Sequence, residues 1–387
     1  MITPYSFLMA VLWCNVFILV SALLRRRTGF LIHFSVVPLL LLMFAGLLRL
    51  FLSVELPFTS VIRSEVIFPA IQRFLRFPLP VVFRGENITV TTLIIALWAL
   101  GCIISMLKII RDRLEFRRKI SVLPETRDAR ITAVMADIVQ QSGLRKNVKI
   151  IQSPAIGVPM ITGFISPTIY MPDMELTDEE LRYILRHEWN HFIHKDAWVR
   201  LLIDIICSVC WWNPVIYVLK RDLDQALEIK ADVNMTAQLS PDERTQYLDV
   251  LVKVIKHVGA IESNNYVYAG AAGLIDANSM EGVKTKQRFD LVLDYKLKKM
   301  SRFGGKFLFY VLTLAVLFSS FLFVIQPYTE PPALPEEGIP AGYFITPDNA
   351  YLIKNDESGG YALYADGVYR HDVFDINREP FLGLPIK

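Results

Sequence analysis

His187-Glu188-Trp189-Asn190-His191 is the stretch on which the reading of this chain turns. It has the form H-E-x-x-H. At 3.6 residues per turn, positions i and i+4 share one helical face, so both imidazoles can reach a single metal ion. Glu188 sits beside the first imidazole, where a carboxylate can take a proton from water that a metal has acidified. The residues ahead of the motif predict a helix. Thr177-Asp178-Glu179-Glu180 forms an S/T-x-x-E capping box, and its acids suit the positive end of the helix dipole. Leu181, Ile184 and Leu185 then supply an apolar stripe at i, i+3, i+4. The bland alternative is a polar helix face carrying two solvated imidazoles. His194 falls one turn past His191 and is expected at the surface.

Two imidazoles do not complete a catalytic zinc site, which usually takes a third protein ligand. No third His follows closely, so a carboxylate is expected. The helical segment Asp222–Met235 (DLDQALEIKADVNM) places Glu228 and Asp232 at i, i+4 on one face. Glu228 is the candidate Zn²⁺ ligand with His187 and His191. Asp232 is the candidate acceptor behind it, fixing the tautomer of a ligand imidazole. Without the motif before it, this pair reads as an ordinary solvated helix face.

The composition is that of a membrane protein. Of 387 residues, 53% are hydrophobic and only 20% charged, and the mean hydropathy is +0.38. Tyr5–Leu24, Leu31–Leu52, Thr91–Ile110 and Phe307–Ile325 are each nearly free of charge and long enough to span a hydrocarbon core of roughly 30 Å. His33 and Arg49 lie near the ends of the second stretch, within reach of the interface. The first stretch has no cleavage signature after it and is expected to be retained. Basic clusters at Arg25–Arg27, Lys108–Lys119 and Lys296–Lys306 fall on one side of the bilayer if the N-terminus is outside. The mixed loop Glu55–Val90 fits this less well, and its amphipathic Phe68–Phe77 is expected on the outer surface. The expected organisation is three transmembrane helices in 1–112 with an outer loop at 54–90, and a cytoplasmic zinc protease domain at 113–305. A fourth span at 306–326 and an extracellular tail or small β module at 327–387 follow. The net charge of +3 is accounted for by the basic anchors, and no nucleic-acid motif is present. Cys207 and Cys210 form a C-x-x-C inside an apolar run and are expected to pack in a core rather than pair.

The zinc reading constrains the apolar run Ala197–Leu219. If it crossed the bilayer, His187 and Glu228 would lie on opposite faces. It is therefore expected to be re-entrant or interfacial, as two helices joined at Asn213-Pro214, where Pro ends helix continuity and Trp211 and Trp212 favour the interface. Elsewhere, Arg127–Gly143 and Ser240–Val258 read as helices. Val148–Gln152, Val158–Gly163 and Thr168–Met171 read as short strands, an edge strand being suited to hold an extended peptide. Asn264–Glu281 reads as a loop and Phe289–Met300 as a basic amphipathic helix. Gly342–Ile345, Ala350–Ile353 and Gly360–Tyr364 read as strand-like pieces of the tail.

Three spans, H-E-W-N-H, then W-W-N-P at Trp211–Pro214, then L-E-I-K-A-D at Leu227–Asp232, then a final span: this pattern resembles the BlaR/MecR-type membrane antirepressor peptidases, as does Ser153-Pro154 through Pro172. The resemblance covers roughly residues 1–326. It implies His187, His191 and Glu228 as zinc ligands and Glu188 as general base. It also implies a dimer, a winged-helix transcriptional repressor as substrate, and self-cleavage at about Asp276–Arg288. The fold class it implies is a mainly α membrane protein of the bacterial cytoplasmic membrane. Four transmembrane helices would carry a cytoplasmic gluzincin-like α+β zinc protease domain and a short extracellular C-terminal module. The best-known members carry a penicillin-binding sensor with S-x-x-K, which Gln326–Lys387 lacks; Ser105–Lys108 fits the pattern but lies in the third span. A housekeeping membrane peptidase of the CAAX-processing or heat-shock type shares the zinc pattern and is the alternative. A non-catalytic membrane receptor that keeps the motif for structure is a third reading.

Overall fold

A computed structural model of the chain describes residues 3–64, 66–83, 86–126, 128–237, 239–261, 281–294, 303–327, 345–355 and 360–373, with positions 376, 381 and 383–387. Helices dominate. The chain opens with α1 (Pro4–Arg25), α2 (Thr28–Phe34) and α3 (Val37–Phe51), then β1 (Ser60–Ser64), α4 (Ile67–Leu75) and the antiparallel pair β2 (Pro78–Phe83) and β3 (Glu86–Thr89). Next come α5 (Val90–Ser121), α6 (Ala129–Gln141), β4 (Lys149–Ser153), β5 (Met160–Thr162) and β6 (Thr168–Pro172). The helices α7 (Asp178–Ile193), α8 (Asp196–Val209), α9 (Pro214–Thr236), α10 (Pro241–Ile261), α11 (Glu281–Asp294) and α12 (Phe303–Ser319) follow. The chain closes with β7 (Phe323–Pro327), β8 (Ala350–Asn355), β9 (Gly360–Ala365) and β10 (Val368–Val373). Two compact units result, one of Met1–Ile62 with Phe74–Gln326, the other of Arg63–Arg73 with Pro327–Lys387.

Among the described residues, two helices have the length and apolarity to cross a membrane: α1, of 22 residues, and α5, of 32. At 1.5 Å per residue α5 is about 48 Å long, well beyond a hydrocarbon core of about 30 Å. The second apolar stretch is not one helix. Ser35 adopts a left-handed φ of 71° between α2 and α3, and Pro38 sits in the first turn of α3. Proline is harmless there because first-turn N–H groups have no helical partner, whereas a continuous helix would lose a hydrogen bond at this point. The fourth stretch also differs from expectation. Its helix ends at Ser319, and the aromatic and β-branched run from Phe323 is extended, with the Ser60 N–H donating to the Leu322 carbonyl at 2.7 Å just before it.

α1 and α3 pack closely because Gly46 leaves room: a Cβ there would lie 2.9 Å from Phe17 Cβ. Arg49 does not reach outward to an interface. It is 2% exposed, donates to the carbonyls of Leu52 and Ser320, and lies over the Phe321 ring. Carbonyls left over at two helix ends take its two terminal nitrogens, while its buried Nε has no hydrogen-bond partner among the described residues. Arg25 departs from its cluster in the same way: it is buried against α9, while Arg26 and Arg27 stay more open.

The apolar run is a helical hairpin. α8 ends at Val209, and α9 starts at Pro214 with Asn213 as its cap, its side chain accepting from the Val215 N–H. Cys207 and Cys210 are free thiols buried with Ile203, Ile216 and Leu219, in a core shared with Ile18 of α1 and Met43 of α3. A second core joins α6, the sheet and α7 through Ile131, Ile150, Ile169, Leu185 and Trp189. The sheet order is β4-β6-β5, with β4 parallel and β5 antiparallel to β6, so β5 is an edge strand.

The other unit holds the antiparallel meander β8-β9-β10 around Leu352, Leu363 and Val373. The sequence reading had the first two of these strands and missed β10. The expected loop at Asn264–Glu281 lies, up to residue 280, outside the described residues. So do Gly342–Phe344 and residues 295–300 of the expected basic helix.

Candidate metal centre

α7 is started by a complete capping box: the Thr177 hydroxyl accepts from the Glu180 N–H, and the Glu180 carboxylate accepts from the Thr177 N–H. Its apolar face is anchored by Leu181, Ile184 and Leu185, all buried; at 3.6 residues per turn Glu188 continues that same face and His187 and His191 flank it, so all three point inward. They are only 6–8% exposed, with α9 and α10 packed over them. α9 brings Glu228 (8% exposed) and Asp232 (1%) to the same place.

The ligand atoms of His187, His191 and Glu228 lie within 4.8 Å of one another. His187 Nε2 and His191 Nε2 are 3.3 Å apart. Glu228 sits across from both, with Oε2 3.5 Å from His187 Nε2 and Oε1 3.6 Å from His191 Nε2. Tetrahedral zinc with bonds of about 2.0–2.1 Å has an edge of about 3.3 Å between ligand atoms. The spacing fits such an ion.

The outer nitrogens are already occupied. His191 Nδ1 lies 2.7 Å from Asp196 Oδ2. His187 Nδ1 lies 3.0 Å from the Tyr247 hydroxyl and 3.2 Å from Asp232 Oδ1, and that hydroxyl donates to Asp232 Oδ1 at 2.6 Å. With both Nδ1 atoms engaged by outer partners, both Nε2 atoms face inward, where one cation could bind them together. Charge points the same way. The carboxylates of Asp196, Glu188, Glu228 and Asp232 gather here, faced by the guanidinium groups of Arg288 and of Arg200, which also pairs with Asp224. An acidic surround of this kind favours a cation. Burial by itself would lower the basicity of His191, yet the Glu228 and Asp196 carboxylates outweigh it and hold its pKa up at about 10. Burial likewise opposes the charge of Glu228, and the two imidazoles and Arg288 hold its carboxyl well below the usual range.

The donor set therefore suits zinc: two neutral imidazole nitrogens and one carboxylate, each backed by a partner. Glu188 lines a cleft beside it with His187, Glu228, Tyr247, Val158 and Pro159. The chain's relatives bear on the chemistry of this centre. The model of the family described as BlaR1 peptidase M56 matches residues 6–279. The chain belongs to that family. M56 is a family of metallopeptidases, and the matched span of this M56 chain contains the whole His187, His191, Glu228 group. It is 22% identical over 289 residues to the methicillin resistance mecR1 protein of Staphylococcus aureus, a match covering 72% of this chain and 48% of the relative. It is 23% identical over 160 residues to the regulatory protein BlaR1 of Bacillus licheniformis, covering 41% of this chain and 27% of that one. This M56 chain thus spans about half the length of the first of these relatives, or less of the other.

Four residues at this centre escaped the sequence reading. Asp196 had a usable signal, a carboxylate five positions after the second His, because ligand imidazoles usually pass their second N–H to an acid. It reaches back because Lys195, in a left-handed φ of 59°, turns α7 into α8. Arg200 lies within the apolar run Ala197–Leu219, and its guanidinium donates to Glu228 Oε1 at 2.8 Å. Tyr247 and Arg288 carry no local signal, since each reaches the site from another helix. His194 caps the end of α7, with Nδ1 2.8 Å from the Asn190 carbonyl and Nε2 3.3 Å from Asn234.

Proposed function

We propose that this chain is a membrane-embedded zinc endopeptidase that cuts a cytoplasmic regulatory protein. In this reading His187, His191 and Glu228 are the zinc ligands, Glu188 is the general base, and Asp232 orients His187. The observation that carries it is the 3.3 Å approach of two Nε2 atoms with a carboxylate facing both and Glu188 on the adjoining cleft. Zinc at this point supplies Lewis acidity, polarising a peptide carbonyl and acidifying water to a pKa of about 7. The residues of the chain do the rest. The Glu188 carboxylate takes the proton of the attacking water and returns it to the leaving amide nitrogen. Asp196 and the Tyr247–Asp232 pair hold the two imidazoles in one tautomer, which keeps both Nε2 lone pairs aimed inward. The free edge of β5 offers backbone donors and acceptors to an extended peptide, and Val158 and Pro159 lead from that edge into the cleft.

In the topology we favour, four spans at about 5–24, 31–52, 91–110 and 307–325 place the protease domain in the cytoplasm, with the 197–219 hairpin against the inner leaflet and the tail outside. The basic clusters beyond Arg25 and the apolarity of α5 support it. A transcriptional repressor as substrate, with an external signal, is supported by membership of the BlaR1 peptidase family and by likeness to a regulatory protein and a methicillin resistance protein. Self-cleavage near Asp276–Arg288 belongs to the same reading. Residues 276–280 lie outside the described residues, and Glu281–Arg288 form the first turns of α11. A protease takes its substrate extended, so cleavage within 281–288 requires those turns to unwind.

The test is Glu188→Ala purified in detergent, with metal analysis and mass spectrometry of co-purifying proteins. It should hold one zinc per chain, lose cleavage and retain an uncut substrate. Equal cleavage by variant and wild type would remove the enzyme reading.

A further inference from the structure

We propose that Arg288, on α11, is a positioning residue for the metal centre, its guanidinium fixing the Asp232 carboxylate that orients His187 and facing Glu228 at the same time. The inference rests on the metallopeptidase reading above. It concerns a residue beyond the 6–279 span that the family model matches.

The contacts are specific to arginine. Arg288 Nε donates to Asp232 Oδ2 at 2.6 Å and a terminal nitrogen donates to Oδ1 at 2.9 Å. Two parallel bonds from a planar fork fix the plane of a carboxylate, which a single ammonium contact does not. That plane matters because Asp232 Oδ1 also accepts from Tyr247 and lies 3.2 Å from His187 Nδ1. A rotated carboxylate would release both. The same terminal nitrogen is 3.9 Å from Glu228 Oε2, so a single positive charge faces a proposed ligand and the acid behind another.

The helix carrying Arg288 is held independently of that contact. Its neighbour Gln287 is 5% exposed, donates to the Arg25 carbonyl at 2.8 Å and accepts from Gln225 at 2.9 Å. Leu291 and Val292 are buried in two different cores. Gln225, Glu228 and Asp232 lie along α9 at one-turn spacing, so consecutive residues of α11 clamp α9 on either side of Glu228. A displacement of α11 relative to α9 would reach the centre through Arg288 first.

The experiment uses the full chain in detergent and compares wild type, Arg288→Gln, Arg288→Lys, Asp232→Asn and the Arg288→Gln/Asp232→Asn double variant. Zinc affinity is read by chelator competition, and ligand geometry by the visible absorption of the Co²⁺-substituted protein. Arg288→Gln should weaken zinc about 10-fold or more, the size of effect that outer partners of metal ligands have, and should alter the Co²⁺ bands. Arg288→Lys should recover part of both. The double variant should be no worse than Asp232→Asn by more than a factor of about 2, because the two residues act through one contact. An unchanged zinc affinity and Co²⁺ spectrum in Arg288→Gln overturns the proposal, as does full additivity in the double variant. If Arg288→Gln does not fold, Arg288→Lys carries the test, and wild-type affinity with a wild-type Co²⁺ spectrum overturns it. A folded wild type that binds neither Zn²⁺ nor Co²⁺ would instead overturn the metal reading itself, and this proposal with it.

Discussion

Arg25, at the C-terminal end of the first apolar helix, forms an ion pair of 3.0 Å with Asp222 on α9, six residues before Glu228, and the two side chains are 4% and 1% exposed. An arginine that reads in sequence as one of three topology anchors is thus bound to the helix that supplies the carboxylate of the centre. Gln225 accepts from the same guanidinium and passes the connection on to Gln287.

Among the described residues, removing Arg25 leaves the buried Asp222 carboxylate with only Arg221, at 3.6 Å, to compensate it. Arg25→Met should therefore destabilise the detergent-solubilised protein by about 3–5 kcal/mol, and Arg25→Met/Asp222→Leu should recover most of that loss. Thermal unfolding followed by circular dichroism decides it. A single variant as stable as wild type would show that the pair is not holding α1 to α9.

Among the described residues, His191 Nδ1 pairs with Asp196 at 2.7 Å, so Asp196→Asn should act on the metal with little change of shape. Zinc affinity should fall by about 10–100-fold. Chelator competition measures this, and the helix content should stay at the wild-type level.

Gly46 tests the packing of the first apolar unit. A methyl there would lie 2.9 Å from Phe17 Cβ, and neither atom can swing away because both belong to the first carbon of a side chain. Gly46→Ala should cost about 1–3 kcal/mol, seen as a lower unfolding temperature.

Zinc binding should tighten with rising pH well beyond the usual histidine range. In the metal-free protein His191 keeps its proton up to about pH 10, because Glu228 and Asp196 outweigh its burial. A folded pKa raised above the unfolded value of about 6.5 contributes stability that is fully present below pH 6.5 and is lost as pH rises through 10. Zinc must displace that proton. Its apparent dissociation constant should therefore drop by up to about 10-fold per pH unit between 7 and 9. Isothermal titration in zinc buffers at three pH values checks this; a flat profile would mean that the imidazole is neutral at pH 7.

Local signals explain what could be read from the chain. The capping box at Thr177, the apolar stripe through Leu185 and the i, i+4 spacing of the imidazoles all lie within one helix, so periodicity alone reveals the geometry. Asn213-Pro214 is legible for the same reason, since a cap and a fixed φ act on the chain next to them. Harder to read was the continuity of the apolar stretches. Hydropathy sums over a window and does not register a left-handed Ser35 or the point after Ser319 where the chain turns extended. β10 was missed because its polar Arg370, His371 and Asp372 break the apolar alternation that marks a strand.

The residues around the imidazoles divide along the same line. H-E-x-x-H and E-x-x-x-D stand in the sequence because their members are one helical turn apart, and a turn is a property of neighbouring residues. Whether the two helices meet, which arginines sit over their carboxylates, and that Tyr247 and Arg288 close the centre from α10 and α11 were decided only by tertiary packing. Those contacts join residues 15 to 60 positions apart, and no local pattern records a distance that the chain closes by burying its apolar faces.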